Sequence, residues 1–398
     1  MPNPVYFDRR KQPSITTGTG AFTLTAPTGP WKQLNTSGAA LTLTYCIAHQ
    51  TAGDWETGVG SVDSTSSTLT RTYALDGSAG PGTFTNFSGG NKDVFSTAIS
   101  SYLPRVRPGI CEGRLGLVSG SPGADSASGS TLYFTPYMGN QIAMPEPTLG
   151  TGQWKLYDFT EMSISLGVIG LTAGMCYDIF VGDSNGTLSL GANQWTNATT
   201  RSSAITYVDG IPMVGPATQG YRYLGTFYAA NTSNTADSPK QRFVWNYYNQ
   251  MPRRMANFPG TGSWSATGLL AWRAQNADAT KARALEFVLG LAPFRPVNAR
   301  ATIYVVLGTT GTWVGLGLTL DGTGAPSYTD SVVIECSAYN NSYFAQTTAT
   351  AEYNQIPATV GYHYLQPVED ISVGAYGVIW YDSVANRNAT GVIGTIWA

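Results

Sequence analysis

Only two histidines, His49 and His363, occur in this 398-residue chain, and only Cys46, three residues before His49, stands at ligand spacing to either. A zinc site draws on three or four such donors, and a Ser-His-Asp or Cys-His relay has little to draw on here. The sequence holds no phosphate-binding loop and no dinucleotide fingerprint. Gly315–Leu318 (GLGL) reads as a small-residue strand and not as a phosphate cradle. The residues thus call for no metal and no cofactor, and they single out no catalytic residue.

Paired carboxylates offer the best enzymatic chemistry, because glycoside hydrolysis uses two across a cleft. Glu369-Asp370, Asp158/Glu161 and Asp54/Glu56 are the local pairs. Glu56, in DWETG, and Glu161, in FTEMS, sit beside aromatics in alternating segments, as ion-pair partners and rim residues do. The aromatics are a second lead: Trp55, Trp154, Tyr157, Trp195, Tyr247, Tyr248, Tyr362 and Tyr364 are candidates for stacking on sugars or for lining interfaces. In QRFVWNYYNQ, alternation puts Phe243, Trp245 and Tyr247 on one face, expected to be core, and Arg242, Val244, Asn246 and Tyr248 on the other.

Strands must position these groups, since helical periodicity is nearly absent. Apolar residues alternate or come in short runs broken by turn dipeptides about every eight to twelve residues, an all-β pattern. Leu41–Ile47 (LTLTYCI) alternates cleanly, and Thr68–Ala74 closes on the hairpin-type pair Asp76-Gly77. Tyr177–Val181, Thr187–Leu190, Ile205–Val208, Tyr221–Tyr228, Arg242–Tyr247, Leu285–Leu291, Ile303–Leu307, Trp313–Leu320 and Val332–Cys336 behave likewise. Residues 277–284 have helical composition, but Gly290 and Pro293 follow closely, so a single helical turn leading into a strand is expected. Composition breaks at Pro104–Pro108 and at Ser119–Ser130 divide the chain. The expected organisation is an N-terminal β module over 1–103, a linker over 104–130, a jelly-roll-like β-sandwich over 131–325, and a C-terminal extension or final strands over 326–398.

Charged residues make up 12% of the chain, against about 25% in an ordinary soluble domain. Ser, Thr and Asn fill the vacated positions, while 42% hydrophobic residues suffice for a core. The formal net charge of −2 leaves no electrostatic footprint for nucleic acid. Cys46, Cys111, Cys176 and Cys336 lie far apart and read as buried free thiols. No apolar leader opens the chain and no run reaches the ~18 residues of a membrane span, so membrane insertion is not expected. A neutral hydroxyl-and-amide surface on a large protein suits one surrounded by other copies.

Two blocks resemble segments of tailed-bacteriophage virion proteins. Cys46–Phe95 is similar to a phage module with a Trp-Glu-x-Gly-x-Gly core (Trp55–Gly60), a Leu-x-Arg strand (Leu69–Arg71) and an Asn-Phe-Ser-x-Gly-x-Lys-x-Val-Phe ending (Asn86–Phe95). The second block, Leu132 to about Leu320, is the more specific, through RYLGTF at Arg222–Phe227 and RFVWNYYNQMPR at Arg242–Arg253. It departs from the pattern at Met144–Pro147, where a small Asp-Gly turn is more usual, and residues after about Tyr328 match no known pattern. The resemblance implies a non-enzymatic virion structural protein of tail-fibre, adaptor or capsid-decoration type. It would be made in the host cytoplasm and assembled with other virion proteins as a homotrimer. The alternative function is a fibre protein that binds a host-surface receptor or glycan, with a polysaccharide depolymerase behind it.

Overall fold

A computed structural model describes residues 9–97, 107–145, 154–184, 187–214, 220–260, 262–266, 270–278, 280–291, 295–307, 313–326, 331–332, 334–337, 345–371, 378–381 and 390–398. Strands dominate, and the chain divides into two compact units: residues 1–107 with 145–155, and 108–144 with 156–398. The all-β expectation holds.

The first unit is a six-stranded antiparallel sheet in the order Lys11–Ser14, Lys92–Ser96, Leu41–His49, Trp55–Val62, Thr68–Gly77 and Phe22–Thr23. Alternation explains its packing. Leu43, Tyr45 and Ile47 point to one side of their strand and meet Phe22, Leu34, Val62, Leu69, Phe87 and Val94 in one core. Phe22 and Phe87 pack edge to face at 5.2 Å, a favoured aromatic geometry.

The second unit has two cores. Three strands, Gly113–Gly116, Thr131–Pro136 and Met162–Ser165, cover a sheet built on Cys176–Ser184 and Arg222–Tyr228, with Leu115, Leu132, Phe134, Ile179 and Phe227 between them. The other core fills a true β-sandwich. One sheet carries Trp313–Leu320, Gly361–Ile371, Leu285–Leu289 and Gln241–Arg242, the last two parallel to each other. The facing sheet carries Pro252–Asn257, Gly391–Trp397, Val297–Leu307 and Ala345–Gln355 in that order. Leu285, Phe287, Leu316 and Leu365 from one meet Ala299, Ala301, Ile303, Ala351 and Val392 from the other.

The strand composition of the two units differs from the linear division drawn on the sequence. The segment 104–130 contains two strands, Gly113–Gly116 and Ser126–Gly129, and Arg114 and Leu115 within it are buried. The sandwich core joins strands on both sides of residue 325, because its sheets pair segments far apart in the chain. Gly116 shows why a Gly/Ser-rich run need not be a linker: a Cβ there would meet the Pro122 backbone at 2.7 Å, so its glycine permits close packing. Near the expected helical turn, Gln275–Ala277 forms a single 3-10 turn ahead of the strand Leu285–Leu289. A four-residue helix, Leu166–Ile169, had no clear sequence signal; it ends on Gly170 in the left-handed conformation at φ +73°.

Candidate functional site

Glu56, Asp54, Glu161 and Glu369, among the carboxylates singled out by sequence, are held by donors in their own surroundings. Glu56 accepts from Tyr45 Oη at 2.6 Å, from the Thr85 amide at 2.6 Å and from Arg71 at 2.9 Å. Asp54 accepts from the Ser88 amide and hydroxyl at 2.8 and 2.6 Å, and these bonds hold its carboxyl below the usual range. Glu161 accepts from Ser119, Gly120 and Thr135 at 2.5–2.7 Å; burial works against ionisation there, yet the bonds keep the carboxyl low. Glu369 takes Arg273 at 2.8 Å, Trp264 Nε1 at 3.0 Å and the Asn276 amide at 3.2 Å. Its neighbour Asp370 occupies the next position of the same strand and so points to the opposite face.

The histidines are equally committed. His49 lies 2.8 Å from the Gly89 carbonyl through Nε2, and its Nδ1 accepts from the Thr51 and Ala52 amides. His363 bridges Asp321 at 2.7 Å and the Thr359 carbonyl at 3.0 Å. Among the described residues no group of three or more His, Cys, Asp or Glu could hold a metal. No helix among them is long and apolar enough to cross a membrane.

Part of the chain's scarce charge is spent inside: among the described residues, seven cations and five carboxylates are buried, of 22 Lys and Arg and 24 Asp and Glu in the sequence. Asp237 takes Arg242 at 3.2 Å and Arg253 at 3.0 Å, and both arginines also reach Asp125. Arg201 grips Asp178 with two nitrogens at 2.8 and 3.2 Å and lies 4.2 Å over the Trp195 ring. Burial pushes the Asp178 carboxyl up against the pull of Arg201. Arg222 spans Tyr248 and the carbonyls of Pro108 and Ala143.

The eight aromatics expected to stack or line interfaces have several fates. Trp195 is 1% exposed and Trp154 7% exposed, so neither offers a face to a ligand. Tyr157 is half-buried, with its hydroxyl 2.5 Å from Asp183. Trp55 is 40% exposed in the first unit. Tyr247 and Tyr248 meet edge to face at 4.8 Å, half-buried, the latter under Arg222. In QRFVWNYYNQ the core expectation holds for Phe243 and Trp245. Arg242, Val244 and Asn246 on the opposite face are buried too, because Val244 belongs to one core of the unit and Trp245 to the other.

Tyr362 and Tyr364 do come together at a half-exposed surface. Tyr228 stacks on Tyr362 at 4.4 Å, Tyr364 follows at 6.3 Å, and the Lys281 ammonium lies 4.7 and 4.3 Å over the rings of Tyr362 and Tyr364. Tyr362 Oη donates to Glu286 at 2.6 Å, and Gln241 donates to the same carboxylate at 3.0 Å. The lysine occupies the ring faces that a sugar would need.

A cleft of about 460 Å³ lies elsewhere, on the outer face of the sandwich sheet, where Pro252–Asn257, Gly391–Trp397, Val297–Leu307 and Ala345–Gln355 run side by side. Register builds its floor. Arg254 pairs Thr395, Thr395 pairs Asn298, and Asn298 pairs Asn354, one row across four strands. In the next row Ile393 stands beside Arg300, which stands beside Glu352. Between these outward positions, Met255, Ala299, Tyr353 and Val392 point into the core. The sequence signal was present in the alternating segments R-M, N-A-R and E-Y-N, but only the pairing reveals that they share a face.

No protein-family model matches the chain, and no curated protein matches it. Among solved structures it is similar to infectious bursal disease virus, Gx strain, at 14% identity over 100% of this chain and 73% of that one, with a TM-score of 0.23. It is also similar to an insecticidal delta-endotoxin of Bacillus thuringiensis, at 10% identity over 72% of this chain and 52% of that one, TM-score 0.16. A third likeness is to a structure from work on carbohydrate-binding modules of the β-sandwich superfamily, at 9% identity over 70% and 96%, TM-score 0.15. Likenesses at such TM-scores say nothing of what this chain binds or builds.

Proposed function

We propose that this chain is a non-enzymatic structural protein of a tailed-phage virion, acting through contacts between copies in a symmetric trimer. The observation that carries this reading is the scarcity of charge. The chain has 12% charged residues and, among the described residues, twelve of them lie in the interior, so its surface is about as poor in charge as its composition. Such a surface, rich in Thr, Ser, Asn and Tyr, is suited to wide hydrogen-bonded interfaces repeated by symmetry. Ile205–Val208 supports the same reading: it ends its sheet among the described residues, has no charged residue, and presents Tyr207 at 60% exposure. The tailed-phage assignment rests on the resemblance of Cys46–Phe95 and Leu132–Leu320.

Light scattering of the purified chain tests the proposal. A stable species of about three times 42.3 kDa is the expected outcome, and a monomer that persists at high concentration would overturn it. Whether the function is structural or enzymatic is tested separately, by incubating the oligomer with bacterial surface polysaccharides, whose chain length is expected to stay unchanged.

A further inference from the structure

We propose that the outer face of the sandwich sheet is a binding site for a carboxylated saccharide, held chiefly by Arg254 and Arg300. This goes beyond the structural role and does not depend on it.

Three features of the cleft point to that ligand. The first is unspent hydrogen-bonding capacity: the guanidinium of Arg254 and the side-chain amides of Asn298 and Asn354 have no hydrogen-bond partner among the described residues, and all three residues are exposed. They stand in one register row across four strands, and three strand spacings of ~4.8 Å make that row about 14 Å long. The second is charge. Arg300 is held only loosely, by Glu352 at 4.0 Å with both side chains more than half exposed, so its planar fork remains open to a carboxylate, which it fits bidentately. Elsewhere in the unit arginines are engaged by buried acids, as Arg242 and Arg253 are by Asp237. The third is the floor. Ile393, 43% exposed beside Arg300 in the second row, offers an apolar surface to the C–H face of a pyranose. Each asparagine amide can both donate to and accept from neighbouring hydroxyls. The cleft volume lies within the roughly 300–1,000 Å³ of small-ligand sites. Together, two open guanidinium forks, two amides and an apolar floor fit an acidic sugar better than a neutral one.

The test is calorimetric titration of the full chain with trigalacturonate and with its neutral methyl ester, and with sialyllactose as a second carboxylated probe. Expected are saturable binding of at least one acidic saccharide, weakening as salt rises, and an ester at least tenfold weaker than trigalacturonate. Arg254→Gln and Arg300→Gln should each weaken binding by roughly tenfold or more, the effect of losing one charge-assisted contact. Lys32→Gln, at an exposed position of the other unit, should leave it unchanged. Absence of binding by both acidic saccharides overturns the proposal, as do equal binding of the ester, arginine variants that bind normally, or equal binding of a hexaglutamate peptide. Light scattering of the arginine variants supplies a further readout. Loss of the oligomer without any saccharide binding would mean that the face lies between copies and would also overturn the saccharide site.

Discussion

Glu56 and Arg71 form an ion pair at 2.9 Å with both side chains essentially removed from water. The two residues belong to the Trp-Glu-x-Gly-x-Gly and Leu-x-Arg elements that carried the phage resemblance, and the pair gives those elements a structural meaning. Arg71 spends its remaining donors on the carbonyls of Gly18, Gly20 and Thr85, and its guanidinium lies 5.0, 5.0 and 5.8 Å from the rings of Phe22, Phe84 and Phe87. Tyr45 donates to the other oxygen of Glu56, and burial, with that carboxylate close by, pushes its phenol well above the ordinary range. Gly58 completes the cluster: a Cβ there would fall 2.5 Å from Tyr45 Oη, so the glycine is what lets the tyrosine ring lie against the next strand.

Removing one member of this pair should therefore cost far more than a surface ion pair would. Glu56→Ala leaves a buried guanidinium without its counter-ion, a change that typically costs about 3–5 kcal/mol. Urea unfolding followed by tryptophan fluorescence should show the unfolding free energy fall by that amount. The double variant Glu56→Leu, Arg71→Met should recover much of the loss, because two apolar side chains leave no uncompensated charge. A double variant no better than Glu56→Ala would mean that the hydrogen bonds to Thr85, Gly18 and Gly20 matter more than the charge.

Strand positions were legible in the sequence because alternation is a local property. Leu41–Ile47 lies within the strand Leu41–His49, and Asp76-Gly77 does end the strand Thr68–Gly77 region. Which face of each strand is buried, and against what, was not legible. Arg253 and Arg254 are adjacent in sequence, yet Arg253 is 3% exposed in the Asp237 cluster while Arg254 opens onto the cleft. Nothing in the dipeptide distinguishes them; pairing with Gly391–Trp397, well over a hundred residues on, decides the matter. The aromatic candidates met the same difficulty. Trp195 and Tyr362 look alike as exposed-strand aromatics in sequence, but the former lies in the core beneath Arg201.

The turn that joins Trp55–Val62 to Thr68–Gly77 should make the first unit sensitive to acid. The Asp63 carboxylate accepts from the Ser67 hydroxyl and amide at 2.7 and 2.8 Å and from the Thr65 amide at 3.1 Å. These bonds, led by that from the Ser67 side chain, hold its carboxyl below the ordinary range. A carboxyl lowered by folding stabilises fully above its unfolded value of about 3.9 and loses that effect as pH falls through the folded value. Thermal melts of the parent chain and of Asp63→Asn should differ most at neutral pH and draw steadily together as pH falls below about 4. A gap that stays constant down to pH 2 would show that the turn does not depend on the charge.

Thiol reactivity should follow burial. Cys111 is buried, and its thiol is pushed up to about 11 by desolvation; Cys46, half-buried, is pushed up to about 11 for the same reason. Cys176 is raised further by burial and by the Asp178 charge. Since the thiolate is the reacting form, iodoacetamide at pH 8 should leave all three unmodified in the folded chain and label them after denaturation, as peptide mapping would read. Labelling of Cys111 or Cys176 in the folded protein would show that their strands open on the timescale of the reaction.

Tyr362 and Glu286 supply the last test, because their hydrogen bond separates structural from ligand-binding roles at the Tyr228–Tyr362–Tyr364 surface. The 2.6 Å bond from Tyr362 Oη joins adjacent strands of the sandwich, and burial together with the Glu286 carboxylate raises the phenol, which keeps its proton and donates at every physiological pH. Tyr362→Phe removes the donor and keeps the ring on Tyr228. A loss of about 1.5–3 kcal/mol is expected, in the range of a hydrogen bond to a charged acceptor. Glu286→Gln should cost less alone, since Tyr362 and Gln241 can still donate to the amide oxygen. In the double variant the two effects should fall short of additive, the coupling being the energy of the contact. Tyr362→Ala should lose in addition the stacking at 4.4 Å from Tyr228, about another 0.5–1.5 kcal/mol beyond its buried area. If these variants destabilise the chain but leave trigalacturonate affinity unchanged, the aromatic surface is a structural fastening, and recognition resides on the outer sheet face at Arg254 and Arg300.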